Sequence, residues 1–135
     1  MEYISFAKEN NVTPVLITPV GRMYIGQTDE YRHTVSALTN VPAQWSDMEG
    51  KKGDWPQTMK DVAVRENIMV LDLTSKSVEH FGTFNGNQAI RSMYSWNNRD
   101  ATHFNKAGAE KMAEFVVELA CASGNADLCN QFKDH

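Results

Sequence analysis

Long apolar stretches are missing from this sequence, and so is any excess of positive charge. A membrane-spanning helix needs about 20 consecutive apolar residues. No run here approaches that length, so we expect no membrane partner. The 13 Lys and Arg residues are scattered and are outnumbered by 17 Asp and Glu residues, which argues against a nucleic-acid partner. The 135 residues have the composition of a globular protein and predict one domain over 1–135. The acidic start, Met1-Glu2-Tyr3, predicts no secretory leader in this chain.

Cysteine is also scarce. The two cysteines, Cys121 and Cys129, flank a flexible Ser123-Gly124-Asn125 stretch near the C-terminus. They are expected either to form a disulfide that pins the tail, residues 122–135, to the preceding helix, or to stay as two buried thiols. A metal site is less favoured, because no histidine lies at ligand spacing from them.

Short apolar runs alternate with amphipathic stretches, which predicts an α/β fold with a parallel sheet. The runs at 13–18 and 68–73 are typical of strands buried on both faces. Helices are predicted at 2–9, from Trp55-Pro56 onward, from a Thr74 cap to about residue 81, at 106 to about 121, and at 28–39. Sites in such folds lie at the carboxyl ends of the strands. Two buried strands cannot form a stable sheet alone, so the fold is expected to be incomplete as a single chain.

The most informative pattern is an aspartate three residues before a histidine, Asp100 and His103, directly ahead of a predicted helix. In such a turn the carboxylate can accept a hydrogen bond from Nδ1–H of the imidazole, which leaves Nε2 to face a serine hydroxyl or a substrate. Asn105 is the natural N-cap of the helix, and Gly108 in its first turn predicts that another element packs closely there. Taken alone, an Asp-x-x-His step more often belongs to an ordinary loop.

The longer string Asp-x-Thr-His-Phe-x-x-x-Gly-Ala at 100–109 resembles the last conserved block of SGNH (GDSL-type) hydrolases, and most closely the rhamnogalacturonan acetylesterases. Three earlier segments of the sequence also resemble the family and stand in the expected order, at 13–20, at 55–59 and at 71–77. The resemblance implies the C-terminal part of a flavodoxin-like three-layer α/β/α fold. It also implies a general base, His103, oriented by Asp100 and supported by Thr102 and Asn105, with no cofactor and no metal.

The nucleophile block of the resembled family has no counterpart in this sequence. Members use a serine in a Gly-Asp-Ser block near their N-terminus, whereas the single Gly53-Asp54 here is followed by Trp55. Loss of the nucleophile removes most of a triad's activity, so the chain alone is expected to be nearly inactive. A homodimer or a complementing N-terminal half is the expected partner.

The resemblance implies an acetylated pectic or other polysaccharide as substrate, with a small acyl ester or lipid as the alternative, and a parent enzyme that is secreted or extracytoplasmic. Four side chains are expected to line the substrate groove: Arg22, Tyr24, Tyr94 and Trp96. Two other interpretations stay open. One is a non-catalytic module that binds carbohydrate or protein. The other is a metal site in which Asp100 and His103 are joined by His33.

Overall fold

The chain combines helices with short strands in the computed structural model, which describes residues 2–21, 24–25, 31–32, 55–84, 91–95 and 103–133. The helices in these ranges are α1 (Glu2–Glu9), α2 (Trp55–Glu66), α3 (Leu73–Gly82), α4 (Lys106–Ala122) and α5 (Ala126–Lys133). The strands are β1 (Val15–Ile17), β2 (Tyr24–Ile25), β3 (Tyr31–Arg32) and β4 (Met69–Leu71).

A small parallel sheet joins β1 to β4. The register pairs Val15 with Met69 and Ile17 with Leu71, and the amide of Thr18 continues the ladder by donating to the carbonyl oxygen of Leu71 at 3.0 Å. A parallel pair needs a crossover connection, and α2 lies within the segment that connects the two strands and packs against β4. The predicted α/β class with a parallel sheet is therefore confirmed at this coarse level.

The prediction that both strands are buried on both faces is wrong for this structure. Ile17 is 40% exposed, Val15 and Leu16 are only half-buried, and Leu71 is the one fully buried member of β4. Each strand has a single neighbouring strand among the described residues, and the described helices leave part of its apolar surface exposed.

Two further elements differ from the sequence-based expectations. Within the predicted helix at 28–39, residues 31–32 instead form β3, which pairs antiparallel with β2 through the register Tyr24–Arg32 and Ile25–Tyr31. The rest of that predicted helix lies outside the described residues. The tail contains the additional helix α5, which packs on α4 and is joined to it by a disulfide between Cys121 and Cys129.

Helix α3 is capped by Asp72, not by the predicted Thr74. The Asp72 Oδ1 atom accepts a hydrogen bond from the backbone amide of Ser75 at 3.1 Å, and Lys60 forms an ion pair with Oδ2. Burial alone would raise the pKa of Asp72, but the hydrogen bonds from Lys60 and Ser75 together outweigh it and lower the pKa below 3.8. The carboxylate therefore stays ionised at the positive end of the helix dipole.

The core lies between α3 and α4, which pack against each other. Its buried members come from these helices and from the segment 91–95, and they are Leu73, Phe81, Met93, Tyr94, Met112 and Phe115. His80 also faces this core, because its ring packs edge-on against Phe84 at 4.8 Å and Phe115 at 4.9 Å. Burial, followed by the nearby charges of Lys111 and Lys76, lowers the pKa of His80.

Candidate active site

The turn that contains His103 is held against the segment 91–95 by a short antiparallel bridge. Tyr94 and Phe104 are paired across this bridge. The amide of Ser95 donates to the carbonyl oxygen of His103 at 2.9 Å, and the amide of Asn105 donates to the carbonyl oxygen of Met93 at 3.1 Å. The backbone from the carbonyl group of His103 to the amide of Asn105 is thus fixed to a second piece of chain.

Asn105 fixes the start of α4 and the position of the bridge together. Its Oδ1 atom accepts the amide hydrogen of Gly108 at 3.0 Å, which is the predicted N-cap interaction. Its Nδ2 group donates to the carbonyl oxygens of Ser92 at 2.5 Å and Tyr94 at 3.1 Å. The Asn105 side chain therefore connects the N-terminus of α4 to the segment 91–95.

Gly108 explains how α4 can approach that segment so closely. A Cβ atom at this position would lie 2.0 Å from the carbonyl oxygen of Met93 and 2.7 Å from Cδ1 of Phe104. Since real Cβ atoms do not come within 3.0 Å of other heavy atoms, no larger residue fits without displacement of backbone. The close packing predicted at Gly108 is confirmed, with Met93 as its partner.

Tyr94 connects this bridge to the carboxyl end of the parallel sheet. Its Oη atom donates to the carbonyl oxygen of Gly21 at 3.0 Å, four residues beyond the end of β1. The amide of Gly21 donates in turn to Oγ of the fully buried Ser77 on α3 at 2.9 Å. The His103 turn is therefore tied to the sheet edge at which ligands bind in α/β folds.

The structure describes only some of the predicted site residues. His103 has an exposed side chain, whereas Asp100 and Thr102 lie outside the described residues, as do Arg22, Trp96 and His33. Only the backbone of Tyr24 is described, within β2. Tyr94 is 3% exposed and its ring lies 4.6 Å from that of Phe104, so it belongs to the core and not to the wall of an open groove.

Sequence reasoning did not foresee the structural roles of Tyr94 and Asp72. The Asp72 spacing to Ser75 is a cap signature that was available in the sequence. The hydrogen bond from Tyr94 to Gly21 spans 73 residues and has no local signature. In the parts of the chain that the structure describes, no three His, Cys, Asp or Glu side chains form a cluster suited to a metal ion. No helix in those parts is long and apolar enough to cross a membrane.

Two proteins of Bacillus subtilis (strain 168) are similar to this chain. A probable rhamnogalacturonan acetylesterase, YesY, is 34% identical over 119 residues, which cover 87% of this chain and 46% of YesY. The rhamnogalacturonan acetylesterase RhgT is 24% identical over 140 residues, which cover 96% of this chain and 50% of RhgT. No family model and no solved structure matches. The resemblance to rhamnogalacturonan acetylesterases is confirmed, and the chain spans about half the length of these curated relatives.

Proposed function

We propose, starting from the similarity to rhamnogalacturonan acetylesterases, that this chain supplies the acid–base half of a serine esterase. The substrate is an acetylated pectic or related polysaccharide, and the enzyme removes its acetyl groups. His103 is the general base, Asp100 orients its imidazole, and Thr102 and Asn105 support the turn. The serine comes from a polypeptide segment outside these 135 residues, in the same or a separate chain.

The reaction proceeds through an acyl-enzyme. His103 takes the proton of the serine hydroxyl as the serine oxygen attacks the acetyl carbonyl carbon. The tetrahedral oxyanion then collapses, and the bond to the sugar oxygen breaks as the imidazolium returns the proton to that oxygen. A water molecule, deprotonated by the same imidazole, attacks the acetyl-serine. Acetate leaves, and the serine regains its proton.

One observation supports this proposal above the others. An exposed imidazole stands directly before a capped helix, and the backbone from His103 to Asn105 is fixed by hydrogen bonds to 93–95. General-base catalysis requires such a fixed base with access to solvent and substrate, since small misplacements cost large factors in rate. The hydrogen bond from Tyr94, in the segment that holds the turn, to Gly21 beyond the carboxyl end of β1 agrees with this role.

The finer parts of the proposal concern fold and compartment. We infer that the parallel pair β1–β4 belongs to a three-layer, flavodoxin-like α/β/α domain whose remaining strands come from the complementary polypeptide. The disulfide between Cys121 and Cys129 supports an oxidising, extracytoplasmic location for the parent enzyme.

Complementation tests the function. The full chain is mixed with the complementary segment, defined as the part of YesY that lies outside its match to this chain, and acetate release from acetylated rhamnogalacturonan is measured. We expect release only when both polypeptides are present, and a decrease of about a thousandfold or more for His103→Ala. His135→Ala serves as the matched control and should keep the activity. Full activity in His103→Ala would refute the mechanism.

The second candidate is a non-catalytic carbohydrate-binding module. It is favoured because Gly53-Asp54 is followed directly by Trp55 and not by a serine. This function predicts that the chain binds the acetylated polysaccharide in calorimetry and that no acetate is released even with the complementary segment. Acetate release that depends on His103 would exclude it.

A further inference from the structure

Helix α1 exposes two aromatic side chains on one face. Tyr3 is 90% exposed and Phe6 is 66% exposed, whereas Ile4 on the opposite side is 8% exposed and faces the rest of the protein. Residues three apart share a helix face, so Tyr3 and Phe6 form one outward patch. Large aromatic side chains are enriched in protein interfaces, where they supply much of the binding energy.

Strand β1, the next element along the chain, has one edge that is open among the described residues. Its described partner is β4, and no other described strand pairs with it. Such an edge offers unpaired backbone groups to another strand. Ile17 at the end of β1 is 40% exposed, although apolar side chains of a parallel sheet are normally covered.

These two surfaces belong to consecutive elements joined by the short connection at residues 10–14. Helix α1 is also fixed to the rest of the fold, because Nζ of Lys8 donates to the carbonyl oxygen of Glu66 at 2.8 Å. The outward patch of Tyr3 and Phe6 is therefore carried on an anchored helix. An anchored apolar surface loses little conformational entropy on binding.

We propose that the open edge of β1 and the patch of Tyr3 and Phe6 form one docking surface for the polypeptide half that carries the nucleophile. This inference rests on the proposed function and identifies where its partner binds. The length of the relatives supports the choice of occupant, since this chain spans 46% and 50% of them. In the proposed complex, a strand of the complementary polypeptide pairs with β1 while one of its apolar elements covers α1.

Binding of the complementary segment to the full chain tests this surface, with calorimetry as the readout. We expect the double variant Tyr3→Ser, Phe6→Ser to bind at least about tenfold more weakly. Phe132→Ser on α5 is the matched control, because Phe132 is an aromatic residue of another helix and is 40% exposed. The control should bind as the unchanged chain does. Since all these side chains are exposed, thermal unfolding should be unchanged in every variant.

Hydrogen exchange tests the part of the docking surface that lies on β1. We expect the complementary segment to protect backbone amides at residues 15–17, as strand addition requires. Unchanged exchange there, or equal binding by the double variant, overturns the proposal. A dimer of the chain alone that is dissociated by Tyr3→Ser, Phe6→Ser also overturns it, because a second copy is then the occupant. The same holds if the complementary segment does not bind at all.

The two proposals fail in different ways. A complex that forms through this surface but releases no acetate refutes the esterase function and leaves the docking surface standing. Acetate release that is unaffected by Tyr3→Ser, Phe6→Ser refutes the docking surface and leaves the function standing.

Discussion

Gly108→Ala is the sharpest test of how the His103 turn is positioned. The added Cβ atom would lie 2.0 Å from the carbonyl oxygen of Met93 and 2.9 Å from its carbonyl carbon, both of which are backbone atoms. For the distance from this Cβ atom to the Met93 oxygen to rise from 2.0 to 3.0 Å, α4 and the segment 91–95 have to separate by about 1 Å. A side-chain rotation in the protein cannot provide this space.

That separation would break the hydrogen bonds of Asn105. Its amide donates to Met93 at 3.1 Å, and Nδ2 donates to Ser92 at 2.5 Å and Tyr94 at 3.1 Å. Each such bond contributes about 1 kcal/mol, whereas alanine gains up to about 1 kcal/mol over glycine in a helix. We therefore expect Gly108→Ala to lower the free energy of unfolding by about 2 kcal/mol, measured by urea denaturation.

Gly82→Ala is the matched control for this variant. Gly82 is the last residue of α3, and a Cβ atom there would meet nothing within 4 Å. The substitution should leave stability unchanged or raise it by up to about 1 kcal/mol. Equal stability of Gly108→Ala and the unchanged chain would refute the argument that close backbone packing fixes the start of α4.

Two charge-dependent predictions concern α3. Asp72→Asn keeps a cap side chain but loses the charge, so it should cost about 0.5–1 kcal/mol at pH 7. Because the pKa of Asp72 is lowered in the folded protein, this difference should be complete above pH 3.8 and vanish as the pH falls through the folded-state pKa, which acid titration of both proteins would show. His80 has a pKa below its ordinary 6.5, so protonation opposes folding and stability should fall as the pH drops below 6.5. In His80→Phe that loss should be absent from melting curves between pH 5 and 7, and an equal loss in both proteins would contradict the assignment.

Local features of the sequence predicted the surroundings of His103 well. A cap residue and a helix-disfavouring glycine act through their own first turn, so Asn105 and Gly108 could be assigned without knowledge of the fold. The periodicity predicted α4 as well, which the structure describes at Lys106–Ala122.

Features that depend on distant partners could not be predicted. Tyr94 was expected on a groove wall because aromatic loop residues suit sugars, but Gly21 and Phe104 bring it into the core. Strands β2 and β3 have two residues each, which is too short for an alternating pattern to emerge. The Thr74 cap was wrong because Asp72, two residues earlier, caps the helix, and Oγ1 of Thr74 instead donates to the carbonyl oxygen of Pro19.

The long-range ties of this fold have a kinetic consequence. Strand β1 meets β4 across 54 residues, Lys8 meets Glu66 across 58, and Tyr94 meets Gly21 across 73. Such contacts form only after large loops have closed, and proteins dominated by them fold slowly. The helical pair α4–α5, linked over only eight residues by its disulfide, can assemble early by itself. The His103 turn would thus acquire its final position among the last events of folding.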